Sequence, residues 1–157
     1  MKTYPDIATL LLRMALATGF LSEVASRLGW WGEQSSGWEN FLAYTGEVNS
    51  FAPARAAPFL AIASTAFEIT LGTLLLIGYK TRWASMGTAI LTLLFALSMA
   101  YSFGIKNPLD YSVFAVCTAA FLLATMPKYR WSIDEIIFLN KDYFKNNSLC
   151  IQITSNK

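Results

Sequence analysis

The stretch FLAIASTAFEITLGTLLLIG, residues 59–78, decides the fold class of this 157-residue chain. It carries one formal charge, Glu68, and as an α-helix it is about 30 Å long, which matches the hydrocarbon thickness of a bilayer. The whole chain is 55% hydrophobic and only 14% charged, with a mean hydropathy of +0.42. Soluble domains typically contain about 25% charged residues. We therefore expect an integral membrane protein.

Three further apolar stretches have the length of a membrane span or come close to it. They lie at about 7–28, 84–103 and 111–126. Together with 59–78 they predict an all-α membrane protein built as a bundle of four transmembrane helices. Small residues four positions apart, a spacing that lets helices approach closely in lipid, occur at Ala15/Gly19, Ala96/Ala100/Gly104, Ala115/Ala119 and Ala120/Ala124.

The segment 29–58, between the first two spans, is too long for a simple connector. Ser36 followed three residues later by Glu39 has the spacing of a capping box at the start of a helix. We expect this outer loop to contain a short helix that forms a lid over the bundle.

The chain after the last span divides the protein into a transmembrane domain, 1–131, and a tail, 132–157. Ser132 and Glu135 repeat the capping pattern, and the isoleucine-rich sequence that follows predicts an amphipathic cytoplasmic helix. The end of the tail is expected to be frayed.

Basic residues near the span ends predict that both termini are cytoplasmic, because cytoplasmic loops are enriched in Lys and Arg. That orientation places five basic residues inside and three outside. The inner ones are Lys2, Lys80, Arg82, Lys128 and Arg130, and the outer ones are Arg27, Arg55 and Lys106.

The composition excludes several classes of function. Histidine is absent, so we expect neither haem nor zinc, no metal site, and no Ser-His-Asp hydrolase. Cys117 and Cys150 are too far apart in sequence for a CxxC motif. The net charge of +2 is too small to indicate a nucleic-acid partner.

Glu68 is the first candidate for chemistry, because it lies near the middle of the second span. A charge at the centre of a bilayer costs about 2.5–3.5 kcal/mol on insertion scales, so Glu68 should face the bundle interior. We expect Arg13 of the first helix to be its partner. In the alternative, a protonated Glu68 bonds to Thr65 or Thr70 and Arg13 snorkels to the interface. The pair is either a purely structural ion pair or part of a ligand, quinone or proton site.

Four charges form a second candidate site at the outer end of the bundle. Glu23 and Arg27 are one helical turn apart, and so are Lys106 and Asp110. If the fourth helix packs beside the first, the four side chains cluster under the outer loop and can bind a polar head group or an anion. The alternative is that they are ordinary interface charges that neutralise one another.

Three aromatic residues, Trp30, Tyr101 and Tyr111, fall at the same predicted depth. They either line an outer cavity for a flat ring or belong to the aromatic belt of the membrane interface.

The order of several short motifs resembles the DoxX-like (DoxX/DoxD) family of small membrane proteins. The similarity covers roughly residues 7–127. The matching pieces are Arg13, GFLSEVASRLGWWG (19–32), Tyr44–Thr45, TAFE (65–68), LIGYKTR (76–82) and GIKNPLDYSVF (104–114).

The resemblance implies a four-helix bundle in the bacterial cytoplasmic membrane. Members of the family are linked to the membrane part of thiosulfate:quinone oxidoreductase and to accessory roles in redox or metal-stress operons. By position, Arg13, Glu68 and Arg82 correspond to recurring polar residues of the family. Glu23, Arg27, Lys106 and Asp110 correspond to recurring polar residues of the subgroup of this family that the chain resembles.

The sequence favours two functions over a third, a small-molecule or ion transporter, because four helices without an internal repeat leave little room for alternating access unless the chain forms a dimer. In the first, the chain is a quinone-interacting or substrate-handling component of a membrane redox system, with a catalytic polar site at Glu68 and Arg13. It lacks a metal or flavin motif, so we do not expect a complete oxidoreductase on this chain alone. In the second, it is a non-catalytic scaffold or assembly subunit. Expected partners are the lipid bilayer, a quinone or other small ring compound, and either a partner subunit or a second copy.

Overall fold

The computed structural model describes residues 3–140, and every regular element within this range is helical. Two single 3₁₀ turns, Gly32–Gln34 and Ala54–Ala56, precede α2 and α3. The helices are α1 Thr3–Arg27, α2 Trp38–Val48, α3 Ala57–Ile77, α4 Thr81–Phe103, α5 Lys106–Asp110, α6 Val113–Thr125 and α7 over 133–140.

Three helical segments are long and apolar enough to cross a membrane, namely Tyr4–Arg27, Ala54–Ile77 and Thr81–Phe103. The fourth predicted span is shorter than expected, because α6 has only 13 residues. The chain turns at Tyr111 and Ser112, where Ser112 adopts a left-handed conformation with φ of 55°. This turn separates α5 from α6.

The apolar helices α1, α3, α4 and α6 contact one another in a ring. α1 packs on α3, α3 on α4, and α4 on α6, while the contact between α6 and α1 is looser. α4 and α6 share an extensive contact, and Ala96, Ala120 and Ala124 are fully buried. Of the other predicted small residues on α4, Ala100 is half-buried and Gly104 is exposed. Large apolar side chains such as Phe59 and Leu94 point outward, as on a surface that faces lipid.

The predicted helix in the outer loop is present as α2, and it packs against both α3 and α4. Its Thr45 and Val48 side chains are buried, and Ser102 Oγ at the end of α4 donates a hydrogen bond of 2.6 Å to the Val48 carbonyl. α2 therefore fills the space between the ends of α3 and α4, beyond the point where α1 stops.

The predicted capping box at Ser36 and Glu39 is wrong. The N-cap of α2 is Gly37, with φ of 78°, and no side chain caps the helix. Ser36 instead joins the loop to α1, because its backbone N–H donates to Ser26 Oγ over 3.0 Å. A glycine in this conformation turns the chain sharply without a side-chain cap.

The predicted capping box at Ser132 and Glu135 is present in part: the Glu135 N–H donates to Ser132 Oγ at 3.2 Å, whereas the Glu135 carboxylate accepts from the Trp131 N–H at 2.8 Å rather than from that of Ser132. Between these residues, Asp134 accepts hydrogen bonds from the backbone N–H groups of Lys80 and Thr81, at 2.8 and 2.7 Å. A carboxylate at this position satisfies the free N–H groups at the start of α4. The first turn of α7 is thus fixed to the turn between α3 and α4.

Arg13 strengthens the same junction. Its Nη2 donates to the Trp131 carbonyl over 2.8 Å, and its side chain crosses Gly78, which ends α3 with φ of 70°. A Cβ atom at Gly78 would lie 2.5 Å from both Arg13 Nη1 and the Ser132 Cβ. Only glycine leaves enough room for α1, the turn and the tail to meet.

We predict that Gly78→Ala lowers thermal stability more than Gly32→Ala. Both positions have positive φ, so each substitution carries the left-handed cost of about 1–2 kcal/mol. A Cβ at Gly32 meets nothing within 4 Å, whereas at Gly78 crowding adds about 1–3 kcal/mol. Melting midpoints of the two purified variants in one detergent measure the difference, and equal midpoints would contradict the crowding at Gly78.

Candidate functional site

Glu68 and Arg27 form a buried, two-point ion pair in the interior of the helix ring. Arg27 Nη1 lies 2.7 Å from Glu68 Oε2, and Arg27 Nη2 donates to Glu68 Oε1 over 3.1 Å. Nη1 also donates to Thr65 Oγ1 at 3.2 Å. Glu68 is 2% and Arg27 9% exposed. The expectation that Glu68 faces the interior is therefore confirmed.

The expectation that Arg13 is the partner of Glu68 is wrong. Arg13 lies fourteen residues before Arg27 on the same helix, or about 21 Å along its axis. Its guanidinium binds the Trp131 carbonyl at the opposite end of the bundle. Arg27, the last residue of α1, reaches Glu68 in the middle of α3 because α1 ends there and α2 occupies the space beyond it.

Phe41 of α2 covers the ion pair. The guanidinium carbon of Arg27 lies 3.7 Å from the centroid of the Phe41 ring, in cation–π geometry. Such a contact is worth about 2 kcal/mol where water is excluded. The sequence gave no signal that this ring would contact an arginine.

A cavity of about 600 Å³ lies between α1, α4 and α6, and we call it the α1/α6 cavity. One end of it is polar, with the ion pair joined by Glu23, Thr92 and Tyr111. The remainder is apolar. Among the residues that line the apolar part are Leu12, Leu16, Phe20, Val116 and Ala119.

Small residues create this cavity. Ala15 and Gly19 of α1 and Ala115 and Ala119 of α6 all line it, and a Cβ at Gly19 would meet nothing within 4 Å. Their spacing predicted close helix contact, and that prediction is wrong for these two pairs. The short side chains instead leave a gap between α1 and α6.

A second cavity, of about 580 Å³, lies under α2 and is bounded by α3 and α4; we call it the α2 cavity. Arg27, Phe95 and Val113 line both cavities. The ion pair therefore stands at the partition between two spaces of similar size.

The expected cluster of four outer charges does not form. Arg27 turns inward to Glu68, while Lys106 pairs with Asp110 on the exposed α5. Glu23 stays on the α1 side and faces the α1/α6 cavity. Long charged side chains in sequence-local pairs of this kind contribute little to stability.

The three candidate aromatic residues also separate. Tyr111 lines the α1/α6 cavity. Tyr101 is 73% exposed and its ring packs edge-on against Phe51, with 5.5 Å between centroids. Trp30 is 77% exposed. Over residues 3–140 no group of three or more potential metal-binding side chains comes together.

The family model of DoxX matches residues 8–101, which is more than half of the chain and includes Arg13, Arg27, Glu68 and Arg82. The chain belongs to the DoxX family. Its family and its apolar helices make this DoxX-family chain a multi-pass membrane protein in contact with the lipid bilayer. Neither the comparison with curated proteins nor the comparison with solved structures gives a match.

We predict that Arg27→Met destabilises the protein by about 3–5 kcal/mol, because it leaves the Glu68 carboxylate buried without its cation. The double variant Arg27→Met/Glu68→Leu should recover most of this loss, since no buried charge remains. Lys106→Met is the control, because its ion pair is exposed and should contribute less than about 1 kcal/mol. Unfolding in mixed micelles measures all three. A double variant no more stable than Arg27→Met would contradict the assignment.

Proposed function

We propose that this DoxX-family protein binds a quinone in the α1/α6 cavity and serves as a component of a membrane redox system. The observation that carries the proposal is the position of the Arg27–Glu68 ion pair, which forms the polar end of an elongated and otherwise apolar cavity. A site that combines a buried ion pair with a long apolar space suits a ligand that has a polar head and an apolar tail.

The shape of the cavity matches a ring that carries a tail. Its α1 wall runs from Leu12 to Arg27, fifteen residues or about 22 Å along the helix. A quinone ring would lie beside Arg27 and Tyr111, and its apolar tail would extend towards Leu12. The exposed Ala15 and Ala115 border the gap between α1 and α6, which gives a route from the lipid.

The polar residues suit the chemistry of a quinone. Each carbonyl oxygen needs a hydrogen-bond donor, and the Arg27 guanidinium is a donor beside the cavity. Glu68 can hold or release a proton at its carboxyl oxygen when the ligand changes protonation. Electrons come from a redox partner outside this chain, so the protein is a component rather than a complete oxidoreductase.

Arg13, which the sequence indicated as the second catalytic residue, has a different role in this proposal. It binds the Trp131 carbonyl and holds the tail segment to the bundle. Arg13 thus has a structural role at the end of the bundle opposite the ion pair. In this proposal Arg27, and not Arg13, contacts the ligand.

For the membrane arrangement we propose four spans, with α5 and α6 together forming the fourth. The described ends of the chain meet on one face, because Arg130 Nη1 lies 3.1 Å from Asp6 Oδ2. The positive-inside rule places this face in the cytoplasm of a bacterial cell, with the protein in the cytoplasmic membrane.

A scaffold or assembly role is the second candidate. The observation that favours it is α7, whose Ile136, Phe138 and Leu139 side chains are 60–62% exposed. These residues can lie on the membrane surface or contact a partner subunit or a second copy.

The test of the quinone proposal is retention of quinone by protein extracted from native membranes, measured by mass spectrometry. Wild type should retain quinone. Glu68→Gln should lose most of it, because the amide no longer fixes Arg27 as a carboxylate does. Gly19→Leu should also lose it by filling the cavity, while Ala66→Leu, on an exposed face of α3 away from both cavities, should behave as wild type.

Two outcomes would contradict the proposal. One is equal retention of quinone by wild type and Gly19→Leu, which would place the ligand elsewhere. The other is the absence of a small molecule from every variant, together with no binding of an added short-chain benzoquinone to the wild type. That result would favour the scaffold role and direct the search to a protein partner.

A further inference from the structure

Four hydroxyl side chains form a buried line along α4. Thr81, Ser85 and Thr88 are 0% exposed and Thr92 is 4% exposed. Their spacing of four, three and four residues puts them on one face of the helix. We call this set the hydroxyl column. It extends for eleven residues, or about 16 Å along the helix axis.

Two of these hydroxyls have no hydrogen-bond partner among the described residues, although both are completely buried: Thr81 Oγ1 and Thr88 Oγ1. The other two bond back to their own helix, with Ser85 Oγ donating to the Thr81 carbonyl and Thr92 Oγ1 to the Thr88 carbonyl. A serine or threonine needed only for packing would satisfy its hydroxyl in that way. Unpartnered buried hydroxyls call for another explanation.

The two ends of the column meet acidic groups. At one end, the Thr81 backbone N–H donates to Asp134 Oδ2 over 2.7 Å, and Asp134 lines a surface pocket of about 320 Å³ that also contains Glu135. At the other end, Thr92 lines the α1/α6 cavity together with Glu68. The column therefore extends from Thr81, whose backbone N–H binds Asp134, to Thr92 in the wall of the cavity that contains Glu68.

We propose that the hydroxyl column, bridged by water, conducts protons between Asp134 and Glu68. The Cβ atoms of residues three or four apart on a helix are about 5–6 Å apart, and a water molecule between two such side chains can bond to both hydroxyls. In each transfer a hydroxyl or water oxygen accepts a proton from one neighbour and gives its own proton to the next. The net result is that Asp134 loses one proton and Glu68 gains one, while each hydroxyl and each water ends with the same number of protons as before.

This proton path rests on the proposed function, because reduction of a quinone in the apolar cavity consumes protons that must be delivered there. The cavity offers one competing route. The titratable and charged groups that face Glu68 are Arg27 and Glu23 of α1 and Tyr111 before α6, while α4 contributes Thr92 and Phe95. A proton can reach Glu68 through the column or past Glu23, and the experiment must separate these routes.

The experiment follows protonation of Glu68 by time-resolved infrared spectroscopy after a pH jump, with the full chain in lipid vesicles. The infrared band of the protonated Glu68 carboxyl group is identified by its absence from the spectrum of Glu68→Gln, and its growth reports protonation of Glu68. Thr88→Val keeps the shape of the side chain and removes a hydroxyl that has no partner, so the fold should tolerate it. We expect protonation to slow about tenfold, equivalent to about 1.4 kcal/mol in the barrier.

The controls separate a proton path from a packing effect. Thr88→Ser retains the hydroxyl and should keep the wild-type rate. Thr118→Val removes an exposed hydroxyl of α6 and should also leave the rate unchanged. Thr81→Val interrupts the column at its other end and should slow the reaction as Thr88→Val does, which provides a second test if Thr88→Val does not fold.

A wild-type rate in both valine variants would overturn the proposal and favour entry past Glu23. A Glu68 band that never changes with pH would overturn it as well. Quinone retention by the wild type, measured separately, distinguishes failure of the path from failure of the proposed ligand. A slowed Glu68 signal in a protein that binds no quinone would support the path and contradict only the ligand.

Discussion

A glutamate in the middle of an apolar helix must be paired with a cation or neutralised by a proton, and in this protein Arg27 supplies the cation. Both side chains are buried, and their two-point contact fixes the depth at which α1 ends. α2 then enters between α3 and α4, and its Phe41 ring covers the guanidinium. α2 thus packs against α3 and α4 and contacts the last residue of α1.

The same pair determines how the empty space in the molecule is used. Small residues on α1 and α6 leave a cavity, and the ion pair makes one end of it polar. Arg27 also borders the α2 cavity, so the same side chain lines both spaces. At the opposite end, Asp134 and Arg13 hold the tail against the turn between α3 and α4. The hydroxyl column of α4 joins this end to the cavity.

Local patterns in the sequence predicted much of this arrangement. Hydropathy located the long helices, the position of Glu68 predicted its burial, and the Ser132–Glu135 spacing predicted a helix start. The partner of Glu68 depended on where α1 ends, and that depends on the packing of α2, which residue spacing does not reveal. For this reason the sequence predicted Arg13, and not Arg27, as the partner of Glu68. The hydroxyl column is visible as a spacing in α4, but averaged hydropathy hides it among apolar neighbours.

Photolabelling with an azidoquinone in native membranes, followed by peptide mapping, tests most directly whether a quinone binds beside the Arg27–Glu68 pair in the α1/α6 cavity. Labels are expected on α1 between Leu12 and Glu23 and on α6 between Val113 and Ala119, the two walls of the α1/α6 cavity. Excess unlabelled quinone should suppress them. Labels confined to α2 and the outer half of α3, or labelling that quinone does not suppress, would contradict a ligand site at the Arg27–Glu68 pair in this cavity.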